Sequence, residues 1–148
     1  MKRRCVRGIV IREDEIMFIH RIKNDDEYYV FPGGGIEENE TEIEGLNREL
    51  MEEIGMIVNP IKTLYTIESE DRIEKFILCH YISGDFKNAN GPEWTSEEYK
   101  SHGSYEQVAI KISELENYNI VPEKIRKVFF EDIKIDNTLM TTQEKNVI

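Results

Sequence analysis

Apolar residues along this chain fall in short, mostly alternating runs, and those runs set the expected elements. Residues 5–11 (Cys-Val-Arg-Gly-Ile-Val-Ile) and 16–22 (Ile-Met-Phe-Ile-His-Arg-Ile) are β-rich, and the polar Arg12-Glu13-Asp14-Glu15 between them predicts a hairpin. A polar stretch from Lys23 to Glu27 leads to Tyr28-Tyr29-Val30-Phe31, a short strand stopped by Pro32 and by Gly33-Gly34-Gly35. Thr41 then opens a helix: its hydroxyl can cap the N-terminus while Glu44, three residues on, reaches back, and Gly55 marks the end. Strand-like character returns over 61–68 and 73–83, joined through Ser69-Glu70-Asp71-Arg72. The stretch from Lys87 to Ser104 has no periodicity and reads as a long loop, a kind of segment that is often functional. Gln107 to Ile112 alternates again. Pro122 stands in the first turn of a final helix whose apolar side carries Ile125, Val128, Phe129 and Ile133.

Strands interleaved with two helices predict an α/β fold, a mixed sheet sandwiched between helices. A chain of 148 residues with 39% hydrophobic content suits one core, placed here over residues 1–136, with 137–148 a polar tail expected to fray. The formal charge of −11, from 19 basic and 30 acidic side chains, lacks the basic footprint that long nucleic acids or anionic membranes demand. A small anionic ligand could still bind through a metal. Cys5 and Cys79 stand singly in apolar runs with no Cys-x-x-Cys, which fits a reduced, cytoplasmic compartment. Met1-Lys2-Arg3-Arg4 begins like a signal peptide, but Arg7, Arg12 and Glu13-Asp14-Glu15 interrupt any apolar region behind it. No run approaches the ~20 apolar residues needed to span a bilayer.

Chemistry concentrates on the helix after the three glycines. At about 100° per residue, with Glu49 at zero, Glu52 falls near −60° and Glu53 near +40°, so three carboxylates share an arc about 100° wide. They repel one another unless a cation sits between them. Ile43, Leu46, Leu50 and Ile54 form a separate core-seeking stripe between about +60° and +140°. Gly45 lies on the acidic arc, where glycine costs up to about 1 kcal/mol relative to alanine, and is expected to admit the Pro32–Gly35 loop. Grouped hard oxygen donors suit Mg²⁺ or Mn²⁺, whereas His20, His80 and His102 show no zinc-ligand spacing. Glu37, Glu38, Glu42 and Glu44 read as a solvated face. Arg21, at a strand end, either contacts an anionic ligand or is merely exposed. Trp94, Tyr28 and Tyr29 either stack on a base or are structural.

From Gly34 the chain runs Gly34, five residues, Glu40, seven residues, Arg48-Glu49-Leu50, one residue, Glu52-Glu53, one residue, Gly55-Met56. This resembles the Nudix box of the MutT-like hydrolases at every defined position. Weaker similarity extends over Ile16 to Arg21, Tyr29 to Gly34 and Tyr105 to Leu115, with Ala109 where many members carry tryptophan. The resemblance implies a Nudix α/β/α sandwich and attack by water on phosphorus in a nucleotide-like diphosphate. It further implies that Glu52 and Glu53 hold the metal with the Gly34 carbonyl, and that Glu49 shares the metal or activates the water. Arg48 would orient Glu49, Glu40 would tie loop to helix, and Arg21, Gly33 and Gly34 would bind substrate. Some members place a metal ligand or general base on a later loop. Glu106 is the preferred residue here, with Glu93, Glu97 and Glu98 behind it. Subgroup signatures are missing; Arg72, for one, stands where ADP-ribose hydrolases carry proline. A nucleoside triphosphate or similar small nucleotide is therefore the residual substrate. The alternative is a nucleotide-sensing or protein-binding module without turnover, although such relatives lose box carboxylates that this chain retains. Relatives are frequently dimers, which leaves a homodimer open.

Overall fold

A computed structural model describes residues 2–95 and 103–148. Its strands are β1 (Arg3–Arg12), β2 (Glu15–Lys23), β3 (Asp26–Val30), β4 (Gly33–Gly35), β5 (Met56–Glu68), β6 (Arg72–Gly84), β7 (Ser104–Lys111), β8 (Ile120–Val121) and β9 (Lys145–Asn146). The helices are α1 (Glu42–Ile54), the single-turn α2 (Pro92–Thr95) and α3 (Glu123–Ile135). The sheet runs β8-β3-β2-β1-β6-β5-β9, with β4 beside β1 and β7 beside β2. It is mixed: β1 and β6, β3 and β8, and β5 and β9 pair in parallel, the rest antiparallel.

Alternation along the strands builds two cores. Val6, Val10, Met17, Ile19, Ile77 and Cys79 turn to one face and pack with Leu46, Leu50 and Ile54 of α1. Ile9, Phe18, Phe31, Phe76 and Leu78 turn to the other and meet Ile125, Phe129 and Ile133 of α3. Helices on both faces of a mixed sheet form the expected α/β/α sandwich. No helix among the described residues is long and apolar enough to cross a membrane.

Local signals translate directly into α1. Thr41 Oγ1 accepts from the Glu44 N–H (3.1 Å) while Glu44 Oε1 accepts from the Thr41 N–H (2.9 Å), and Gly55 ends the helix in the left-handed region at φ 67°. The stripe is shorter than its periodicity suggests: Ile43 is 45% exposed, because spacing says nothing about how far the sheet extends beneath the first turn. β5 starts at Met56 rather than near residue 61, and a register shift between Pro60 and Lys62 admits the proline. Pro122 caps α3 instead of lying in its first turn.

The tail from residue 137 is packed, not frayed. Leu139 is fully buried, β9 adds a parallel strand to β5, and Lys145 reaches Asp132 of α3 at 2.7 Å. Asp136 organises the turn by accepting from the backbone N–H and hydroxyl of both Thr138 and Thr141. One buried leucine and one lysine anchor the segment, a signal too sparse to read against its polar neighbours.

Candidate active site

β4 lies antiparallel to β1, pairing Val6 with Gly34 and Arg7 with Gly33, and this pairing brings the glycine segment to the acidic arc of α1. Two of its glycines are required there. Gly33 has φ +149°, and a Cβ on it would lie 2.1 Å from the Val6 carbonyl oxygen. A Cβ on Gly34 would lie 2.7 Å from Glu49 Cδ, so the missing side chain is the space the Glu49 carboxylate fills. The expectation for Gly45 is corrected: its close neighbours are Ile36 and Glu40, not the Pro32–Gly35 loop.

Arg48 is the hub. Its Nε and Nη2 hold both oxygens of Glu40 at 2.7 and 2.8 Å, Nη2 also donates to the Gly35 carbonyl at 3.0 Å, and Nη1 donates to Glu49 Oε1 at 3.1 Å and Glu52 Oε2 at 3.2 Å. Five bonds match the five N–H donors of a guanidinium. The pairing holds the Glu40 carboxyl down at about 2. Glu53 turns under the loop and accepts from the Gly33 N–H at 2.9 Å. Burial pushes its carboxyl up to about 8, against the pull of Arg7 and of that N–H. Burial likewise raises Glu49, with Arg48 opposing.

The structure brings Glu93, not Glu106, to this group. Along β7, Tyr105 and Ala109 pack with the α1 cluster while Val108 and Ile110 pack with the α3 cluster, and Glu106 shares the parity of the latter pair. Its side chain is 69% exposed and lies 3.7 Å from His20 Nδ1, across the sheet from the box carboxylates. Glu93, on α2, is partly buried, and burial raises its carboxyl above the ordinary value, opposed by a hydrogen bond from its own backbone N–H and assisted by the neighbouring Glu49 and Glu52. Its Oε1 is buried without a hydrogen-bond partner. Glu97 and Glu98 lie outside the described residues.

Arg7 was not anticipated. It donates to the carbonyls of Phe31 (3.3 Å) and Gly33 (3.1 Å) and pairs with Glu74 at 2.8 Å, so it braces the glycine segment from the α3 side of the sheet. A lone arginine in an apolar strand was the signal available. Beside it lies a cavity of about 280 Å³ whose walls include Phe31, Arg72, Phe76 and Pro122. Arg21 stacks over the Tyr105 ring at 3.8 Å and donates to the Ser104 carbonyl, while Tyr29 stacks on His20.

With Arg48 offset by Glu40, and Arg7 by Glu74, the carboxyl groups of Glu49, Glu52, Glu53 and Glu93 outnumber the cations left to pair with them. Four hard-oxygen side chains, one with an unpartnered buried oxygen, fit a divalent cation by donor chemistry. Among the described residues no three acidic, histidine or cysteine side chains already form a ready cage, since Glu49 and Glu52 rest on Arg48.

The sandwich and the carboxylate helix beside its glycine strand define a Nudix domain. The NUDIX domain family model matches residues 1–125, and this chain belongs to that family. The chain is similar to an 8-oxo-dGTP diphosphatase of Proteus vulgaris, 36% identical over 61 residues, which cover 41% of this chain and 54% of that protein. It is also similar to an RNA pyrophosphohydrolase of Halorhodospira halophila, 39% identical over 49 residues, which cover 33% of this chain and 27% of that protein. These matches thus span about half and about a quarter of the curated relatives' lengths. The fold is shared with a crystal structure of a Nudix hydrolase from Nitrosomonas europaea at a TM-score of 0.75 and 16% identity, covering 99% of this chain and 78% of that one.

Proposed function

We propose that this protein hydrolyses the pyrophosphate linkage of a small nucleoside diphosphate derivative, with a nucleoside triphosphate as the favoured substrate. The observation that carries this reading is the packing of Glu49 and Glu53 against the glycine strand with Glu52 and Glu93 beside them, four carboxyl groups whose nearby cations, Arg48 and Arg7, are already offset by Glu40 and Glu74. Glu52, Glu53 and the Gly34 carbonyl are assigned to a Mg²⁺ or Mn²⁺ ion, with Glu49 close enough to share it. When bound, that ion polarises phosphoryl oxygens and shields the charge of the leaving phosphate.

The remaining work falls to the chain's own side chains. With Glu49 Oε1 held by Arg48, Oε2 is the oxygen we assign to the attacking water. As the water oxygen bonds to phosphorus, its proton passes to Oε2 and the bridging P–O bond breaks. Burial raises the basicity of Glu49 above that of an exposed carboxylate, which suits a proton acceptor near neutral pH. Arg48 fixes this geometry through a charge-assisted bond. The two curated relatives' names share a pyrophosphate bond as target, and the charge of −11 favours a small nucleotide over a long polyanion.

The test is a panel of nucleoside triphosphates and other nucleoside diphosphate derivatives incubated with Mg²⁺ or Mn²⁺. Release of nucleoside monophosphate that vanishes with chelator, and that falls at least about 100-fold in a folded Glu53→Gln variant, is the expected outcome. Release that persists in excess chelator refutes the reading, and saturable nucleotide binding without any release favours a sensing module instead.

A further inference from the structure

The last turn of an α-helix leaves carbonyls without intrahelical partners, and here those of α1 recruit the segment that follows β6. The Glu52 carbonyl accepts two donors from that segment: the Gly91 backbone N–H at 2.8 Å and the Trp94 indole Nε1–H at 2.9 Å. The Glu53 carbonyl accepts from Gln107 Nε2 at 3.3 Å. Residues 91 and 94 are thus clamped to one backbone atom of α1, and the residue between them that carries charge is Glu93. Gly91 has no room for more: a Cβ there would lie 2.8 Å from the Glu52 oxygen and 2.6 Å from Glu93 Oε1. The Trp94 ring meets the edge of Tyr105 at 6.1 Å, which fixes the indole from its other side.

A glutamate with a buried, unpartnered oxygen among three other carboxylates is costly unless something positive meets it. We propose that Trp94 is a positioning residue: its hydrogen bond to the Glu52 carbonyl docks residues 91–94 on α1 and holds Glu93 as an additional donor to the divalent cation of the carboxylate cluster. The inference rests on the cation reading of that cluster and adds to it a clamp built from main-chain and indole N–H groups. Clamp and ligand share one helix turn, since the residue whose carbonyl anchors the loop is Glu52, whose side chain belongs to the cluster.

Manganese binding to the full chain without nucleotide tests this. Free Mn²⁺ is counted by its paramagnetic resonance in wild type, Trp94→Phe, Glu93→Gln and the double variant. Trp94→Phe keeps an aromatic ring against Tyr105 and removes the N–H. Losing one such hydrogen bond is expected to weaken binding by about 2- to 10-fold. Glu93→Gln should weaken it by at least as much, and the double variant should be no weaker than Glu93→Gln alone, because Trp94 acts through Glu93. Trp94 is the only tryptophan, so its emission in the unmodified protein should be quenched by Mn²⁺ with the same midpoint as binding, a readout that needs no variant to fold. Unchanged affinity in Trp94→Phe, additive losses in the double variant, or absent quenching while Mn²⁺ binds would each overturn the clamp. No saturable Mn²⁺ binding by wild type would instead overturn the cation reading itself.

Discussion

Replacing Gly34 by alanine puts a methyl group where the Glu49 carboxylate now stands. The new Cβ would sit 2.7 Å from Glu49 Cδ and 2.8 Å from each oxygen, against an ordinary contact of 3.4 Å or more, so the carboxylate must retreat by at least 3.4 − 2.7 = 0.7 Å. What moves is the far end of a flexible side chain, and Gly34 is not among the glycines at positive φ, so the backbone accepts alanine. The fold should survive at a cost of under about 1 kcal/mol, a melting shift of at most about 4 °C for a domain of this size. Turnover should not. A displacement approaching 1 Å in a group that takes the proton can cost about 100-fold, and the loss should appear in kcat more than in KM. Gly33→Ala is the matched contrast, because its Cβ would strike the Val6 carbonyl oxygen at 2.1 Å from a left-handed backbone and break the β1 and β4 pairing, lowering stability as well. Steady-state pyrophosphate release and thermal unfolding on the same samples separate the two. Wild-type kcat in a folded Gly34→Ala protein would refute the assignment of Glu49 to the water.

Tyr65→Phe removes the 2.7 Å bond from a fully buried phenol to Asp132 Oδ2 and leaves that carboxylate with Lys145 alone, so stability should fall by about 2 kcal/mol and the melting point by about 4–8 °C; a drop below one degree would mean the bond contributes nothing. Without metal, Glu53 titrates at about 8 in the folded protein against 4.5 as its reference, so between these values the folded state holds a proton that the unfolded chain has released. Stability from this group is therefore complete below pH 4.5 and lost as the pH rises toward 8; denaturation in chelator should show that decline, Mg²⁺ should flatten it, and a pH-independent result in chelator would contradict it. Glu40, held at about 2, contributes in the opposite sense and loses its contribution only at lower pH, outside this window. Cys79 is buried and its thiol is pushed up to about 12, so a thiol reagent at pH 8 should label it only after denaturation, and labelling of the native protein at the denatured rate would refute its burial.

Much of α1 could be read from the chain because its determinants are local. Thr41 and Glu44 cap each other three residues apart, Gly55 terminates by its own backbone conformation, and the helical period alone puts Glu49, Glu52 and Glu53 on one arc. The family resemblance implied that Arg48 orients Glu49 and that Glu40 ties loop to helix, but that Glu40 does so by binding Arg48, which also spans Glu52 and the Gly35 carbonyl, depends on β4 being paired to β1. The choice between Glu93 and Glu106 was beyond any local signal. One depends on which face of β7 an even position occupies, and the other on unsatisfied carbonyls at the end of α1 that draw residues 91–94 inward. The tail followed the same logic, since a single leucine finds its cavity only once the sheet and α3 exist to form it. Short-range periodicity and capping belong to the sequence by itself. Which charged side chains end up sharing a desolvated site depends on strand register and on where helix ends find partners, and only the tertiary structure decides these.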